Sequence, residues 1–190
     1  MKGSSGLDAV VLCRVELPDP HTHLYRVTIT VARPQALQRL ALPVWIPGSY
    51  LVREFSRNLQ NLVARQSVRV CELQQRDKCH WEVHCDPGHA LELHYEVYAL
   101  DNSVRAAWLD AQRGFFNGTS LFLQVDGFAD RPHALELVGG PQRLLWQVAT
   151  GLTPVKIDRR GWGRYLAQDY DELVDCPVEM GAFWSGGFVA

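Results

Sequence analysis

No stretch of this chain stays apolar for the roughly 18 residues that a membrane-spanning helix needs. Nor does an excess of basic side chains mark a surface for nucleic acid or anionic lipid. Nineteen lysines and arginines against 21 aspartates and glutamates leave a formal net charge of −2 over 190 residues. With charge so nearly balanced, neither nucleic acid nor a membrane is an expected partner. The five cysteines, Cys13, Cys71, Cys79, Cys85 and Cys176, contain no Cys-x-x-Cys spacing. Zinc ribbons and dithiol redox motifs therefore lack their defining pattern, and reduced, mostly buried thiols in a cytoplasmic protein are expected. The opening Met1-Lys2-Gly3-Ser4-Ser5-Gly6 leads into an apolar patch too short for a signal-peptide core. Residues 1–7 read as a tag or a disordered N-terminus, and a cytoplasmic location is the expectation.

Helical periodicity is nearly as scarce. One acidic turn or two is expected over Asp169–Asp175, ended by Cys176-Pro177, and a short helical turn over Arg53–Asn61, where Asn58–Ala64 also suits a strand. Period-two alternation fills most of the remainder. Leu24–Val31 alternates and is rich in β-branched residues, and His89–Tyr98 puts Leu91, Leu93, Tyr95 and Val97 on one face. Ser67–Leu73, Lys78–Cys85 and Ser120–Val125 read as further short strands, separated by turn signals such as Asp86-Pro87-Gly88 and Asn117-Gly118. The expected fold is all-β: an antiparallel β-sandwich or saddle-shaped curved sheet with one or two short helical turns. Residues 8–182 form its domain, and 183–190 start a linker to a missing domain.

The motifs of common chemistries are also missing. The chain has no Gly-x-Ser-x-Gly, P-loop, Gly-x-Gly-x-x-Gly or His-Glu-x-x-His. His80, Glu82 and His84 alternate, so on a strand they share a face with neighbours about 7 Å apart. That set can hold a divalent metal, but a solvated strand face beside Lys78 and Asp86 is the expected reading. Against this background Leu42–Phe55, Leu-Pro-Val-Trp-Ile-Pro-Gly-Ser-Tyr-Leu-Val-Arg-Glu-Phe, is unusual. Pro43 and Pro47 remove two backbone donors beside an apolar triplet. A stiff strand ending in a shaped turn is expected, aiming Tyr50 and Arg53 at one place. The run from Asp101 to Thr119 mixes Arg105, Asp110 and Asn117 with aromatic residues. Such a mixture suits a loop that grips a peptide end or a carboxylate, and equally a salt-bridged loop that holds its own shape.

Four blocks together resemble a known family. Pro43–Phe55, Tyr98–Arg105, Arg113–Phe122 and Asp169–Gly181 are similar, in order, to the N-terminal β domain of glycyl aminopeptidase-type zinc metallopeptidases. The resemblance implies a helical, thermolysin-like catalytic domain carrying His-Glu-x-x-His downstream, then a PDZ-like domain, neither of which lies in these residues. Zinc is thus implied for the missing catalytic domain and no cofactor for this chain, and neither a catalytic residue nor a metal ligand carries over. The expected function is that of a non-catalytic domain that packs on its own catalytic domain and helps shape a cleft for a peptide substrate. Arg105, Asp110, Asn117, Tyr50 and Arg53 are the cleft candidates. The competing expectation is a stand-alone β-sandwich module that binds a partner protein.

Overall fold

The computed structural model describes residues 11–46, 51–184 and 186. The expected tag at 1–7, Tyr50, and part of the expected linker at 183–190 lie outside the described residues. Sixteen strands and one short α-helix are found there. The first half contributes β1 (Val11–Leu17), β2 (Leu24–Val31), β3 (Leu37–Ala41), β4 (Leu59–Gln66), β5 (Arg69–Val70), β6 (Glu72–Gln75), β7 (His80–His84) and β8 (Leu91–Tyr98). The second half adds β9 (Ala107–Leu109), β10 (Arg113–Phe116), β11 (Gln124–Val125), β12 (His133–Gly139), β13 (Gln147–Thr150), β14 (Thr153–Ile157) and β15 (Gly163–Ala167). Helix α1 (Tyr170–Asp175) and β16 (Val178–Gly181) complete it.

Eight strands form the main sheet in the order β14-β15-β12-β1-β2-β8-β4-β5. Two four-stranded sheets, β13-β16-β10-β9 and β11-β3-β7-β6, accompany it. The alternation seen in the sequence becomes the burial pattern. One row across the main sheet runs Tyr165, Leu135, Cys13, Ile29, Leu93, Ala64, and every member is buried. The adjacent row on the opposite face runs Arg164, Glu136, Arg14, Thr28, His94, Val63. There Arg14 meets Glu136 at 3.1 Å and Arg164 meets it at 3.7 Å. Exposed cross-strand pairs of this kind each contribute a few tenths of a kcal/mol, whereas the buried row supplies the hydrophobic driving force.

The all-β expectation holds, with local departures. β1 and β12 pair in parallel, which the turn-punctuated pattern did not foretell, because the partner strands lie far apart in the chain. Ser67–Leu73 is not one strand: the chain breaks at Cys71 and passes from the main sheet at β5 to a small sheet at β6. Ser120–Val125 yields only the two residues of β11. Leu121, Phe122 and Leu123 are all buried, so this apolar run is enclosed on both sides and does not alternate. A 3₁₀ turn, Gly118–Ser120, precedes it. At Arg53–Asn61 both readings apply in succession: a 3₁₀ turn over Phe55–Asn58, then β4.

Three buried tyrosines tie this enclosed run and β9 to the rest. Tyr95 Oη donates to Leu121 O at 2.7 Å, Tyr170 Oη to Phe122 O at 2.7 Å, and Tyr25 Oη to Trp108 O at 2.9 Å. Burial holds all three phenols well above their ordinary pKa, so they remain donors throughout the physiological range. His133 is also buried; its Nδ1 lies 2.7 Å from Arg131 O, and its ring meets Tyr170 edge-on.

Tyr95→Phe and Tyr170→Phe are each expected to lower unfolding free energy by about 1–2 kcal/mol, because a buried carbonyl loses its donor. Phe at the exposed Tyr98 should change nothing measurable, and urea titration of the three variants checks this. Burial lowers the folded-state pKa of His133. The unfolded chain therefore binds the proton first as pH drops, and stability is lost on going down from about pH 6.5 through the folded pKa. Thermal melts between about pH 7.5 and 5 should show this slope, and His133→Gln should flatten it.

Candidate functional site

The chain leaves β3 with one last ladder bond, Leu42 N to Cys79 O at 2.9 Å. Pro43 has no amide to continue the ladder, so the expected stiff strand ends there and a loop begins. Val44 O accepts from Arg53 N at 2.8 Å and closes that loop on itself. Within it Leu42 and Ile46 are buried, while Val44 and Trp45 face solvent, Trp45 at 53% exposure. Beyond it Phe55 plugs the core, and exposed Glu54 is bridged to Lys78 at 2.7 Å.

The two described ends of this loop each line a cleft. The first, about 350 Å³, is lined by Arg53, Glu54, Phe55, Arg57, Asp101 and Ala106. The second, about 470 Å³, is lined by Pro43, Trp45, His80, Thr119, Tyr170 and Val174, among others. Segments separated by more than a hundred residues meet in the second, and the Phe55–Asn58 turn of the first packs against the Gly118–Ser120 turn of the second, so the two clefts adjoin in one region. The Asp101 loop reaches it through a narrow hairpin in which Asp101 N donates to Ala107 O at 3.0 Å and Ser103 N to Asp101 Oδ1 at 3.1 Å. Helix α1 reaches it because Gly118 has no side chain: a Cβ there would stand 2.7 Å from Val174 Cα and 2.9 Å from Leu173 O. The cap on α1 is local, with Asp169 Oδ1 accepting from Glu172 N at 2.8 Å.

The candidate residues separate into two kinds. Arg53 lines the first cleft, and its Nε is shielded from solvent with no hydrogen-bond partner among the described residues. Arg105 is exposed and does not itself line the cleft, although its chain neighbour Ala106 does, and its side chain forms no ion pair among the described residues. Asp110 and Asn117 are engaged locally. Asp110 accepts from Gln112 N, Arg113 N and Trp108 Nε1 at 2.8, 2.9 and 3.0 Å, holding the β9–β10 turn. Burial opposes its charge, but these donors outweigh it and keep the carboxyl below its ordinary pKa. Asp110 also lies at the far end of β9 from Ala106, on the order of 10 Å away along extended chain. Asn117 caps the Gly118–Ser120 turn: its Oδ1 accepts from Thr119 N at 3.1 Å and also from Thr119 Oγ1, while its own N–H donates to Ala106 O at 2.9 Å. Tyr50 is outside the described residues.

Arg57 escaped sequence reasoning as a cleft residue, while Glu54 and Asp101 lay inside the two segments singled out but were not themselves picked. Asp101 had a visible signal in the Asx-type turn Asp-Asn-Ser, but nothing local tells that this turn meets Arg53. For a metal the side chains do not converge. Glu82 is held by Arg76 at 2.6 Å and Arg39 at 3.2 Å, and His80 Nδ1 sits 2.9 Å from Asp77. Among the described residues no group of three ligating side chains forms a metal site.

These contacts give the two kinds opposite mutational signatures. Asp110→Ala and Asn117→Ala should each cost about 1–2 kcal/mol in chemical denaturation, through lost turn and cap acceptors. Arg53→Ala and Arg105→Ala should stay within about 0.5 kcal/mol of the parent chain.

A family model described as the peptidase M61 N-terminal domain matches residues 13–182. Among solved structures, an aminopeptidase N family protein from Idiomarina loihiensis superposes with a TM-score of 0.91 at 39% identity, over 95% of this chain and 30% of that one. An M1 zinc metallopeptidase from Deinococcus radiodurans gives a TM-score of 0.52 at 15% identity, over 94% of this chain and 43% of that one. Aminopeptidase A from Legionella pneumophila gives 0.52 at 10% identity, over 94% and 22%. The last two share the fold alone. The chain spans less than half the length of each of these proteins. No curated protein sequence gives a significant match. Matched over most of its length, the chain belongs to the family of peptidase M61 N-terminal domains.

Proposed function

We propose that this chain is the β domain of a zinc-dependent aminopeptidase, and that the face carrying the two clefts packs on the catalytic domain and borders the substrate cleft. The observation that carries the reading is the convergence on that face of the loop from Leu42 to Phe55, the Asp101 hairpin, the Gly118 turn and α1. These are the blocks by which the sequence resembles the family. Support also comes from the M61 match and from the zinc metallopeptidase and aminopeptidase neighbours.

Zinc, held by the catalytic domain, would supply a polarised carbonyl and an activated water. This chain's own contribution would be binding and orientation. An aminopeptidase must hold the free amine of its peptide, and carboxylates such as Asp101 at the edge of the first cleft offer an acceptor. Arg53 would offer a shielded N–H to a carbonyl or carboxylate brought in by the substrate or the second domain. A donor kept from water without a partner is unfavourable in the lone domain, and a group docking there would relieve it. Arg105, next in the chain to Ala106 of that cleft, would supply long-range attraction to the same group. Tyr50 stays a candidate for this face through its place in the same loop. A cytoplasmic location fits the five free cysteines.

The test uses the product of the complete reading frame beside this chain alone. The complete protein should bind zinc and hydrolyse a glycyl-arylamide, and the chain alone should do neither. In the complete protein Arg53→Ala is expected to lower kcat/KM about tenfold or more, with the melting temperature of the isolated domain unchanged. Full activity in that variant would remove Arg53 from the cleft. A complete protein without peptidase activity that captures a partner through the Trp45 face would favour the binding-module reading.

A further inference from the structure

The hairpin of β6 and β7 pairs Glu72 with His84, Leu73 with Val83 and Gln75 with Trp81. One further step in that register sets Cys71 opposite Cys85. Facing residues in an antiparallel ladder alternate between pairs that exchange both backbone hydrogen bonds and pairs that exchange none. Cys71 N donates away from the hairpin, to Ala64 O at 2.9 Å, and Cys85 N donates away from it, to Ala36 O at 3.0 Å. Counting along the ladder from its closing bond, Arg76 N to His80 O at 2.9 Å, makes the cysteine pair one of the second kind. In that kind the Cα atoms stand about 4.5 Å apart, within the roughly 4.4–6.8 Å that a disulfide spans. Both side chains lie on the face that buries Trp81 and Val83, and Cys71 is itself buried.

Access is one-sided. Cys85 opens into a cleft of about 300 Å³ together with Ala36, Arg69, His84 and Asp86. Its thiol donates to Gln35 O at 3.1 Å, and Cys71 Sγ lies 3.8 Å from Gln66 Oε1. Gln66 also bonds Asp86 O, His89 O and Asp86 N at 2.7, 2.8 and 2.8 Å, so the backbone beside Cys85 is held in place.

We propose that Cys71 and Cys85 are a redox-active pair that closes to an intramolecular disulfide by exchange with a low-molecular-weight disulfide, RSSR. The Cys85 thiolate attacks one sulfur of RSSR; the S–S bond breaks and RS⁻ leaves, taking up a proton as RSH. Cys71 then loses its proton and its sulfur attacks Cys85 Sγ. The second RS⁻ departs as RSH, so two protein thiols and RSSR become one protein disulfide and two RSH. The bridge ties the point where the chain passes from the main sheet to β6. It does not depend on the peptidase reading. Burial, and then the neighbouring Cys71, raise the Cys85 thiol above its ordinary pKa, so closure speeds up as pH rises.

The reduced chain is incubated with oxidised glutathione near pH 8, alkylated and mapped by mass spectrometry. The expected result is a Cys71–Cys85 linked peptide, about 2 Da below the sum of its reduced parts, that dithiothreitol reverses. Cys71→Ser should stop at a glutathione adduct on Cys85, and the bridged parent should melt several degrees above its reduced form. A bridge through Cys79 or Cys176, a persistent adduct on Cys85 in the parent chain, or thiols that stay unreacted would each overturn the proposal.

Discussion

Buried tyrosine hydroxyls bonded to backbone carbonyls hold the cleft-bearing part of this domain in place. Leu121, Phe122 and Leu123 form an apolar run with no strand ladder of its own, and Tyr95 and Tyr170 each bond a carbonyl in it. Each ring contributes apolar area to the core while its oxygen satisfies a carbonyl that would otherwise be buried alone. With that run fixed, the Gly118 turn can sit against α1. Tyr25 does the same for the β9–β10 hairpin. The loops on this face are exposed, but the groups that position them are buried and fully bonded.

The face so built is rich in polar groups and poor in reactive ones. Asp110 and Asn117 have their oxygens engaged within their own turns, and Glu54 is paired with Lys78. Arg53 differs, a cation with one shielded N–H that has no partner among the described residues. Membership of the M61 N-terminal domains gives that difference a setting.

The strands were legible in the sequence where one face is buried and the other wet. Leu91, Leu93, Tyr95 and Val97 announce an inward face by spacing alone, and the structure buries all four. Legibility failed where burial is two-sided, as at Leu121–Leu123, and where proline withdraws a donor, as at Pro43. It failed too for contacts that depend on chain path. Asp101 and Arg53 share a cleft because a hairpin and a self-closed loop happen to meet, and no local pattern encodes that. The two cysteines at the β6–β7 corner are likewise visible only once the register is known. The resemblance of four blocks to a family succeeded because it carried this long-range information already folded into it.

The parallel pairing of β1 with β12 bears on how the domain comes to exist. Arg14 and its partner Glu136 are separated by 122 residues, and these two strands stand at the centre of the main sheet. As the chain emerges from a ribosome, β1 and β2 can pair early, but the outer side of β1 stays open until β12 is synthesised. At about 5–20 residues per second, that is a wait of roughly 6–25 seconds with an apolar strand edge unprotected. Closure then demands a large loop entropy before any reward, which makes refolding slow and sensitive to protein concentration. An early-arriving chaperone, or a neighbouring nascent chain, would find its target in β1.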